Sequence, residues 1–216
     1  MSSVRENIEK IKSEISSTNA KLIAVSKYVS IDKIKEAYEA GIRDFAESKA
    51  NDALEKIEIL PKDIRWHFIG HLQTNKVKKV TGNFELIHSV DSYRLASSIS
   101  AFAKNHDLVQ NVLLQVNLAQ EEQKSGFSKQ ELEEDFAQII TLDNIHVEGL
   151  MMMAPYTDDK VYLGRLFEDM SNLKKDLSSK HSYELKELSM GMSNDYPLAV
   201  KAGATMIRIG SKIFNS

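Results

Sequence analysis

Residues 22–46 read LIAVSKYVSIDKIKEAYEAGIRDFA and predict one complete strand–helix–strand unit. Short apolar runs at 22–26 and 44–46 indicate the strands, because such runs between turn residues are typical of buried strands. Between them Ser30 can cap a helix that is apolar on its inner face, and Gly41 can end that helix. The unit is typical of an α/β protein.

The rest of the chain repeats this alternation of strands and helices. Six more apolar runs indicate strands, at 66–70, 86–90, 112–116, 147–151, 187–190 and 206–209. An extra helix is predicted at 4–16, where the apolar residues follow helical spacing. Eight strands alternating with helices, without a linker, predict a single-domain (β/α)₈ TIM barrel over residues 1–216. A doubly wound open sheet is the alternative.

The composition excludes several classes of function. The 216 residues include no cysteine, which excludes disulfides, thiolate metal sites and a cysteine nucleophile. The sequence contains no apolar run of about 18 residues and no signal-peptide core, so a cytoplasmic protein without a membrane span is expected. A net charge of −3 predicts no general attraction to nucleic acid or anionic lipid.

A lysine follows the first predicted strand directly. In a (β/α)₈ barrel the C-terminal ends of the strands carry the chemistry, so Lys27 is predicted to lie at the barrel mouth. A lysine packed there with its amine partly desolvated would be a nucleophile for carbonyl compounds. The alternative is an ordinary lysine that extends into solvent at a strand end.

The segments after strands seven and eight predict an anion site. Ser193 or Asn194 is expected to cap the helix that follows strand seven, and a helix N-terminus favours phosphate. After strand eight, Gly210 allows close backbone approach and Ser211 adds a hydroxyl donor. Because barrels often bind phosphate between these two loops, the pair predicts a phosphate site. Two ordinary polar turns are the alternative.

An arginine lies within the last predicted strand. Arg208 alternates with Ile207 and Ile209, so its side chain is predicted to point into the barrel. A buried arginine needs an acceptor. One candidate acceptor is the ring nitrogen of a cofactor such as pyridoxal phosphate. The other is an inward ion pair with Glu47 or Glu148.

Two histidines and a methionine run add weaker signals. His67 and His71 fall on one face of a strand, but no third ligand has a useful spacing, so no metal site is predicted. His71 is expected near a cofactor or in a structural hydrogen bond. The run at 151–153 is expected to fill irregular core, with a flexible contact surface as the alternative.

Motifs along nearly the whole chain resemble those of the YggS/PROSC family, the pyridoxal phosphate homeostasis proteins. The matching segments are AVSK at 24–27, WHFIGHLQTNK at 66–76, HSVD at 88–91, QVN at 115–117, KSGF at 124–127, GLM at 149–151, LSMGMS at 188–193 and RIG at 208–210. No single motif is decisive, but so many matches in order make the resemblance specific.

The resemblance implies a barrel like the N-terminal domain of alanine racemase and a bound cofactor, pyridoxal 5′-phosphate (PLP). It implies that PLP is held as a Schiff base on Lys27, with Arg208 beside the pyridine nitrogen. The other implied cofactor contacts are Ser193, Gly210 and Ser211 at the phosphate, and Ser189 and Met190 against the cofactor.

One position of the implied site departs from the family pattern. After strand two the family usually reads Gly-Glu-Asn, and the Asn lies near the cofactor ring, whereas this chain reads Ala46-Glu47-Ser48. Because Ser48 is shorter and offers no amide, that contact is expected to be lost, reoriented or bridged by water.

The resemblance implies a PLP-binding protein of intracellular PLP homeostasis, which buffers the cofactor or delivers it to apo-enzymes. Alanine racemases add a β domain with a second acid–base tyrosine, which this sequence lacks, and an arginine at the ring nitrogen weakens the electron sink. Robust catalysis is therefore not expected, although a weak or narrow amino-acid racemase that uses Lys27 is the alternative. A phosphate-binding barrel without PLP is a third possibility. A monomer is expected.

Overall fold

The computed structural model describes residues 3–121 and 123–215, and the eight strands in them close into one parallel barrel. The strands are β1 (Lys21–Val25), β2 (Asp44–Glu47), β3 (Arg65–Phe68), β4 (Leu86–Val90), β5 (Gln110–Val116), β6 (Ile145–Met152), β7 (Glu187–Ser189) and β8 (Met206–Ile209). Each of the eight predicted runs corresponds to one strand, with ends that differ by at most two residues.

Helices surround the barrel and connect its strands. They are α1 (Val4–Glu14), α2 (Ile31–Glu39), α3 (Ala50–Ile59), α4 (Val77–Val80), α5 (Tyr93–Lys104), α6 (Lys129–Ile139), α7 (Lys160–His181), α8 (Tyr196–Lys201) and α9 (Ser211–Phe214). A single 3₁₀ turn, Thr74–Lys76, precedes α4. Within the described part of the chain, no helix is both long and apolar enough to span a membrane.

Pairing of the first and last strands decides between the two predicted topologies. β1 pairs with β8 in parallel, with Lys21 opposite Met206 and Ala24 opposite Ile209. An open doubly wound sheet would leave two edge strands, so that alternative is wrong and the predicted (β/α)₈ barrel is confirmed.

Local sequence signals fix the helix ends. Ser128 and Glu131 form a reciprocal capping box at the start of α6, as their spacing predicts. Ser30 caps α2 by accepting a hydrogen bond from the Lys33 backbone N–H, and the chain leaves that helix through Gly41 at a φ of 86°. The predicted N-terminal helix is α1, which ends two residues before the predicted boundary.

The core has two layers. The outer layer, between strands and helices, buries most of the large apolar side chains, each of which stabilises the fold by about 1.5–3 kcal/mol. The apolar part of the barrel interior is much smaller and consists of Ile23, Val25, Ala46, Leu86, Leu113, Met151 and Met206. Met151 and Met152 are buried, as predicted for core-filling residues, whereas Met153 is 39% exposed at the barrel rim.

Candidate functional site

A cavity of about 890 Å³ opens at the C-terminal ends of the strands. Residues that follow β1, β2, β6, β7 and β8 line it, so the closed barrel brings together segments that are far apart in sequence. Six of the nine predicted site residues line this cavity, namely Lys27, Ser48, Ser193, Arg208, Gly210 and Ser211.

Lys27 lies in a tight turn just beyond β1. The Val29 N–H donates to the Ser26 carbonyl at 3.0 Å, and Tyr28 has a φ of 62°, a conformation that bulky residues rarely adopt. The Lys27 side chain is exposed, so the expectation of a packed, partly desolvated amine is wrong. The physical reason is that the turn carries Lys27 past the last strand position and into the open mouth.

A buried ion pair supports this turn from below. Glu47, which is 1% exposed, accepts hydrogen bonds from Lys56 Nζ at 2.6 Å and from the Ser26 hydroxyl at 2.8 Å. Lys56 Nζ also donates to the Ser26 carbonyl at 2.8 Å. The residue before Lys27 is therefore held through both its side chain and its backbone.

Ser48 lies beside this turn because strands β1 and β2 are in register. Val25 is opposite Ala46, and the Ser26 N–H donates to the Ala46 carbonyl at 3.0 Å. The chain after β3 passes so close that a Cβ on Gly70 would collide with the Ser48 carbonyl. Only glycine allows this approach, which fixes Ser48 at the cavity wall.

Hydroxyl and backbone donors after β7 and β8 meet at one side of the cavity. Ser193 Oγ accepts from the Ser211 hydroxyl at 3.0 Å and from the Lys212 backbone N–H at 3.3 Å. Gly191 carries the chain into this loop at a φ of 95°, where a Cβ would lie 2.7 Å from the Ala199 Cβ. These groups form a compact set of donors suited to an anion.

The helix after β7 is α8, and the prediction of its N-cap residue is wrong. The residue at the N-terminus of α8 is Asp195, rather than Ser193 or Asn194. Asp195 Oδ1 accepts from the Met192 backbone N–H at 2.5 Å and so closes the loop on itself. Burial raises the pKa of Asp195. Ser193 is left to face the segment after β8.

Arg208 points into the barrel, as its position in the strand predicts, and is 4% exposed. Its Nη1 donates to Ser189 Oγ at 2.7 Å and its Nη2 to the Met152 carbonyl at 2.9 Å. Burial lowers the pKa of Arg208 to about 10, against the favourable charge of Asp195, so the guanidinium stays protonated at neutral pH.

The predicted ion-pair alternative for Arg208 is wrong. The carboxylate of Glu47 is paired with Lys56, and that of Glu148 lies beside His146. Arg208 instead donates to the neutral oxygens of Ser189 and Met152 inside the barrel, and it is also one of the residues that line the cavity.

Three predicted site residues are not among those that line the cavity. Ser189 is fully buried beneath Arg208, and Met190 is fully buried in the outer core layer. His71 is exposed, and its Nδ1 lies 3.1 Å from Ser125 Oγ and 3.3 Å from Asp91 Oδ2.

Sequence reasoning missed two features around the cavity. Tyr28 and Tyr156 line its rim and are 80% and 94% exposed, which no sequence pattern indicated. His67 does not share a site with His71, because its two nitrogens contact Asp44 and His88 inside the barrel. The described residues include no group of three or more acidic, histidine or cysteine side chains able to hold a metal. Polar residues at inward strand positions could have revealed the buried contacts.

Comparison with known proteins identifies the family of this chain. The family described as alanine racemase, N-terminal domain, matches residues 1–216. A pyridoxal phosphate homeostasis protein from Synechocystis is 44% identical over 209 residues, which is 94% of this chain and 96% of that protein. A protein of the same description from Aquifex aeolicus is 40% identical over 196 residues, or 90% of this chain and 86% of the relative.

Solved structures show the same fold. PipY of Synechococcus elongatus without PLP superimposes with a TM-score of 0.94 at 35% identity, over 98% of this chain and 100% of PipY. The structure of PipY with PLP bound gives a TM-score of 0.92 over the same shares. An alanine racemase from Clostridium difficile, with a TM-score of 0.77 at 15% identity, shares the fold over 99% of this chain and 56% of the racemase.

Proposed function

The chain belongs to the family of pyridoxal phosphate homeostasis proteins, and from that premise we propose that it binds PLP at the barrel mouth and buffers or delivers it. The observation that carries the proposal is the convergence of three kinds of group on one cavity. An amine is supplied by Lys27, anion donors by Ser193 and Ser211, and a buried cationic donor by Arg208.

The residues present fit three of the polar groups of PLP, namely its phosphate, its ring nitrogen and its aldehyde. The hydroxyls of Ser193 and Ser211, together with the Lys212 backbone N–H, already cluster where a phosphate would need donors. Arg208 has N–H groups beyond those used by Ser189 and Met152, which suits a ring nitrogen that accepts a hydrogen bond.

When bound, PLP supplies an aldehyde that forms a reversible covalent bond with an amine. Lys27 offers that amine from an exposed turn, so an amine of another molecule can reach the same position and compete for it. Ser193 and Ser211 would hold the phosphate, and Arg208, which keeps its protons, would donate to the ring nitrogen. These roles favour holding and release of the cofactor over its use in catalysis.

The roles proposed for four more of the predicted site residues follow from where each one lies relative to the cavity. Ser48 faces the cavity and can contact PLP only through a short hydroxyl. Ser189 acts from beneath Arg208, and Met190 packs behind the loop that follows β7. We assign His71 an indirect role at the rim through Ser125 and Asp91.

The decisive experiment maps the covalent bond. Purified protein loaded with PLP is reduced with borohydride and digested, and the peptides are analysed by mass spectrometry. The label is expected on Lys27, and Lys27→Ala should carry none. Lys49→Ala is the matched control, because Lys49 is exposed close to the same turn, with its Nζ 5.2 Å from the Tyr28 ring centre, and is not among the lining residues. A colourless protein, or a label on Lys49, would contradict the proposal.

Amino-acid racemisation is the competing function and has a direct test. The loaded protein is incubated with L-alanine and other amino acids while optical rotation is followed. The carrier proposal expects no sustained change. Turnover that disappears in Lys27→Ala would overturn the carrier proposal and show that the protein is a racemase.

We further propose that residues 1–216 form one cytoplasmic domain that acts as a monomer and passes PLP to apo-enzymes. A single closed barrel formed by all eight strands supports the one-domain assignment. Light scattering on the purified protein measures its mass in solution, and a dimer mass would overturn the monomer. Transfer is measured as the recovery of activity by an added apo-enzyme.

A further inference from the structure

Five buried polar side chains form a continuous line inside the barrel. Each is at most 5% exposed, and each comes from a different strand or strand end: Asp44, His67, His88, Ser189 and Arg208. Barrel interiors are normally filled by branched apolar side chains, and burying polar groups is costly unless every one is hydrogen-bonded. The fold does not require this line, so it calls for a functional explanation.

The contacts in the line are all short. His67 Nε2 lies 3.0 Å from Asp44 Oδ1, and His67 Nδ1 lies 2.9 Å from His88 Nε2. His88 Nδ1 lies 3.0 Å from Ser189 Oγ, which accepts from Arg208 Nη1 at 2.7 Å. We call these five side chains the axial array.

The axial array connects the two ends of the barrel. Asp44 is the first residue of β2, and it accepts from Arg65 Nε at 2.9 Å and from Arg65 Nη2 at 2.5 Å. Arg65 begins β3 and its side chain is about half exposed at the base. At the other end Arg208 borders the cavity at the mouth.

The chemistry of Asp44 and Arg208 fixes the donor at each end of the array. Burial alone would raise the pKa of Asp44, but hydrogen bonds from His67 and Arg65 outweigh it and hold that pKa well below its usual range. The carboxylate is thus ionised and only accepts, so His67 Nε2 must carry a hydrogen. At the other end an arginine N–H can only donate.

With His88 neutral, two patterns remain between these ends. If His67 is neutral, its Nδ1 accepts from His88 Nε2–H, and His88 Nδ1 accepts from the Ser189 hydroxyl. If His67 is a cation, its Nδ1 donates to His88, which then donates from Nδ1 to Ser189 Oγ. In this second pattern Ser189 Oγ accepts from both His88 and Arg208, and its own hydrogen has no partner in the array.

The buried surroundings favour the first pattern. Burial, assisted by the positive charge of Arg208, lowers the pKa of His88 well below its usual value. A cationic His67 would place a second charge 2.9 Å from His88 and add to the charge of Arg208. In the neutral pattern each of these ring nitrogens, and the Ser189 hydroxyl, has a partner of the matching kind.

We propose that the axial array is a one-way chain of hydrogen bonds, donated from Arg208 through Ser189, His88 and His67 to Asp44, that positions Arg208 for its ligand at the mouth. His67, His88 and Asp44 are positioning residues, since they act on the ligand only through Arg208. The effect on PLP rests on the proposed function, whereas the hydrogen-bond pattern belongs to the protein alone.

The pattern is tested on the PLP-free protein labelled with ¹⁵N, by long-range ¹H–¹⁵N NMR of the histidine rings at neutral pH. We expect two neutral rings, both protonated at Nε2, for His67 and His88. A doubly protonated His67, or His88 protonated at Nδ1, would overturn the proposal.

Asp44→Asn tests whether Asp44 at the base of the barrel affects Arg208 at the mouth. Because an amide can also donate, we expect the His88 proton to move in part from Nε2 to Nδ1. In the loaded protein we expect the PLP absorption maximum to shift and the Kd to rise by about threefold to tenfold. Glu187→Gln is the matched control, since Glu187 also begins a strand and binds the Thr205 hydroxyl outside the array.

The outcomes separate this inference from the proposed function. An unchanged His88 ring and an unchanged absorption spectrum in Asp44→Asn would refute the array as a positioning device, even if PLP binds. A correct NMR pattern in a protein that does not bind PLP would refute the proposed function and leave the hydrogen-bond chain intact. If Asp44→Asn does not fold, the NMR measurement on the unaltered protein decides.

Discussion

Lys56 Nζ lies 2.6 Å from Glu47 Oε1 beneath the turn that carries Lys27, and the two side chains are 12% and 1% exposed. The pair therefore joins a residue of α3 to the end of β2 and, through Ser26, to the end of β1. Buried pairs of this kind are a stronger constraint on geometry than on stability, because desolvation offsets much of their attraction.

Removing one partner of that pair should be costly. Lys56→Met leaves the Glu47 carboxylate buried without a counter-ion, and we expect the free energy of unfolding to fall by about 3 kcal/mol. Urea denaturation measures the change. Glu47→Gln combined with Lys56→Met should recover part of the loss, because no buried charge remains.

An exposed ion pair provides the comparison. Lys104 Nζ lies 3.3 Å from Asp143 Oδ2, and both side chains are mostly exposed. Lys104→Met should therefore change the free energy of unfolding by less than about 1 kcal/mol. Equal losses in Lys56→Met and Lys104→Met would contradict the expected cost of a buried carboxylate without a counter-ion.

Replacing Gly191 should destabilise the protein, because its backbone has a conformation that residues with a side chain rarely adopt. Gly191→Ala forces a φ of 95° on a residue with a Cβ, which would lie 2.7 Å from the Ala199 Cβ, so we expect a loss of about 1–3 kcal/mol. The same substitution at Gly164 inside α7 meets no atom within 4 Å and should stabilise the protein by about 0.5–1 kcal/mol. Thermal unfolding of both variants checks the opposite signs.

Stability should depend on pH through His88. Burial, with the positive charge of Arg208, keeps the pKa of His88 in the folded protein well below its unfolded value of about 6.5. As the pH falls below that value the unfolded chain gains a proton that folded His88 does not. The free energy of unfolding should then fall by up to about 1.4 kcal/mol per pH unit.

Substitution identifies the histidine responsible. The free energy of unfolding is measured by urea denaturation from about pH 7 to about pH 5. In His88→Gln its dependence on pH should be weaker, by the amount that corresponds to about one proton. The matched control is His106→Gln, since His106 is exposed at the end of α5. A wild-type slope in His88→Gln would mean that another group titrates.

Phosphate binding should depend on Ser193. A hydrogen bond to a charged group contributes about 1.5–3 kcal/mol, so Ser193→Ala should raise the Kd for PLP by about tenfold or more. Pyridoxal, which lacks the phosphate, should bind wild type and Ser193→Ala with equal affinity. Ser98→Ala on α5, outside the cavity lining, is the control for nonspecific effects. Equal losses for PLP and pyridoxal would place Ser193 away from the phosphate.

The departure at Ser48 can be reversed. Ser48→Asn introduces the amide that the family resemblance implies at this position, and one added neutral hydrogen bond should lower the Kd for PLP by about threefold to tenfold. Ser48→Ala removes the hydroxyl and tests whether it contributes at all. If Asn weakens binding, the cavity wall near Gly70 is too tight for the longer side chain.

Some of the site was predictable from local sequence. Strand periodicity placed Arg208 inside the barrel and Lys27 just beyond a strand, and the order of strands placed Ser193 and Ser211 in adjacent loops. Such predictions succeed because alternation along a strand and the parallel order of strands together fix where a residue lies.

The sequence by itself determined the eight strands, the caps of α2 and α6 and the barrel mouth as the place of the cavity. Only the tertiary structure decided the partners of the buried polar groups, because those partners come from different strands and helices that meet only when the barrel closes. His88 meets Ser189 across 101 residues, and Glu47 pairs with Lys56 while Arg208 turns to Ser189. The exposure of Lys27 was decided in the same way, since a turn with positive φ at Tyr28 carries it beyond the strand and into the open cavity.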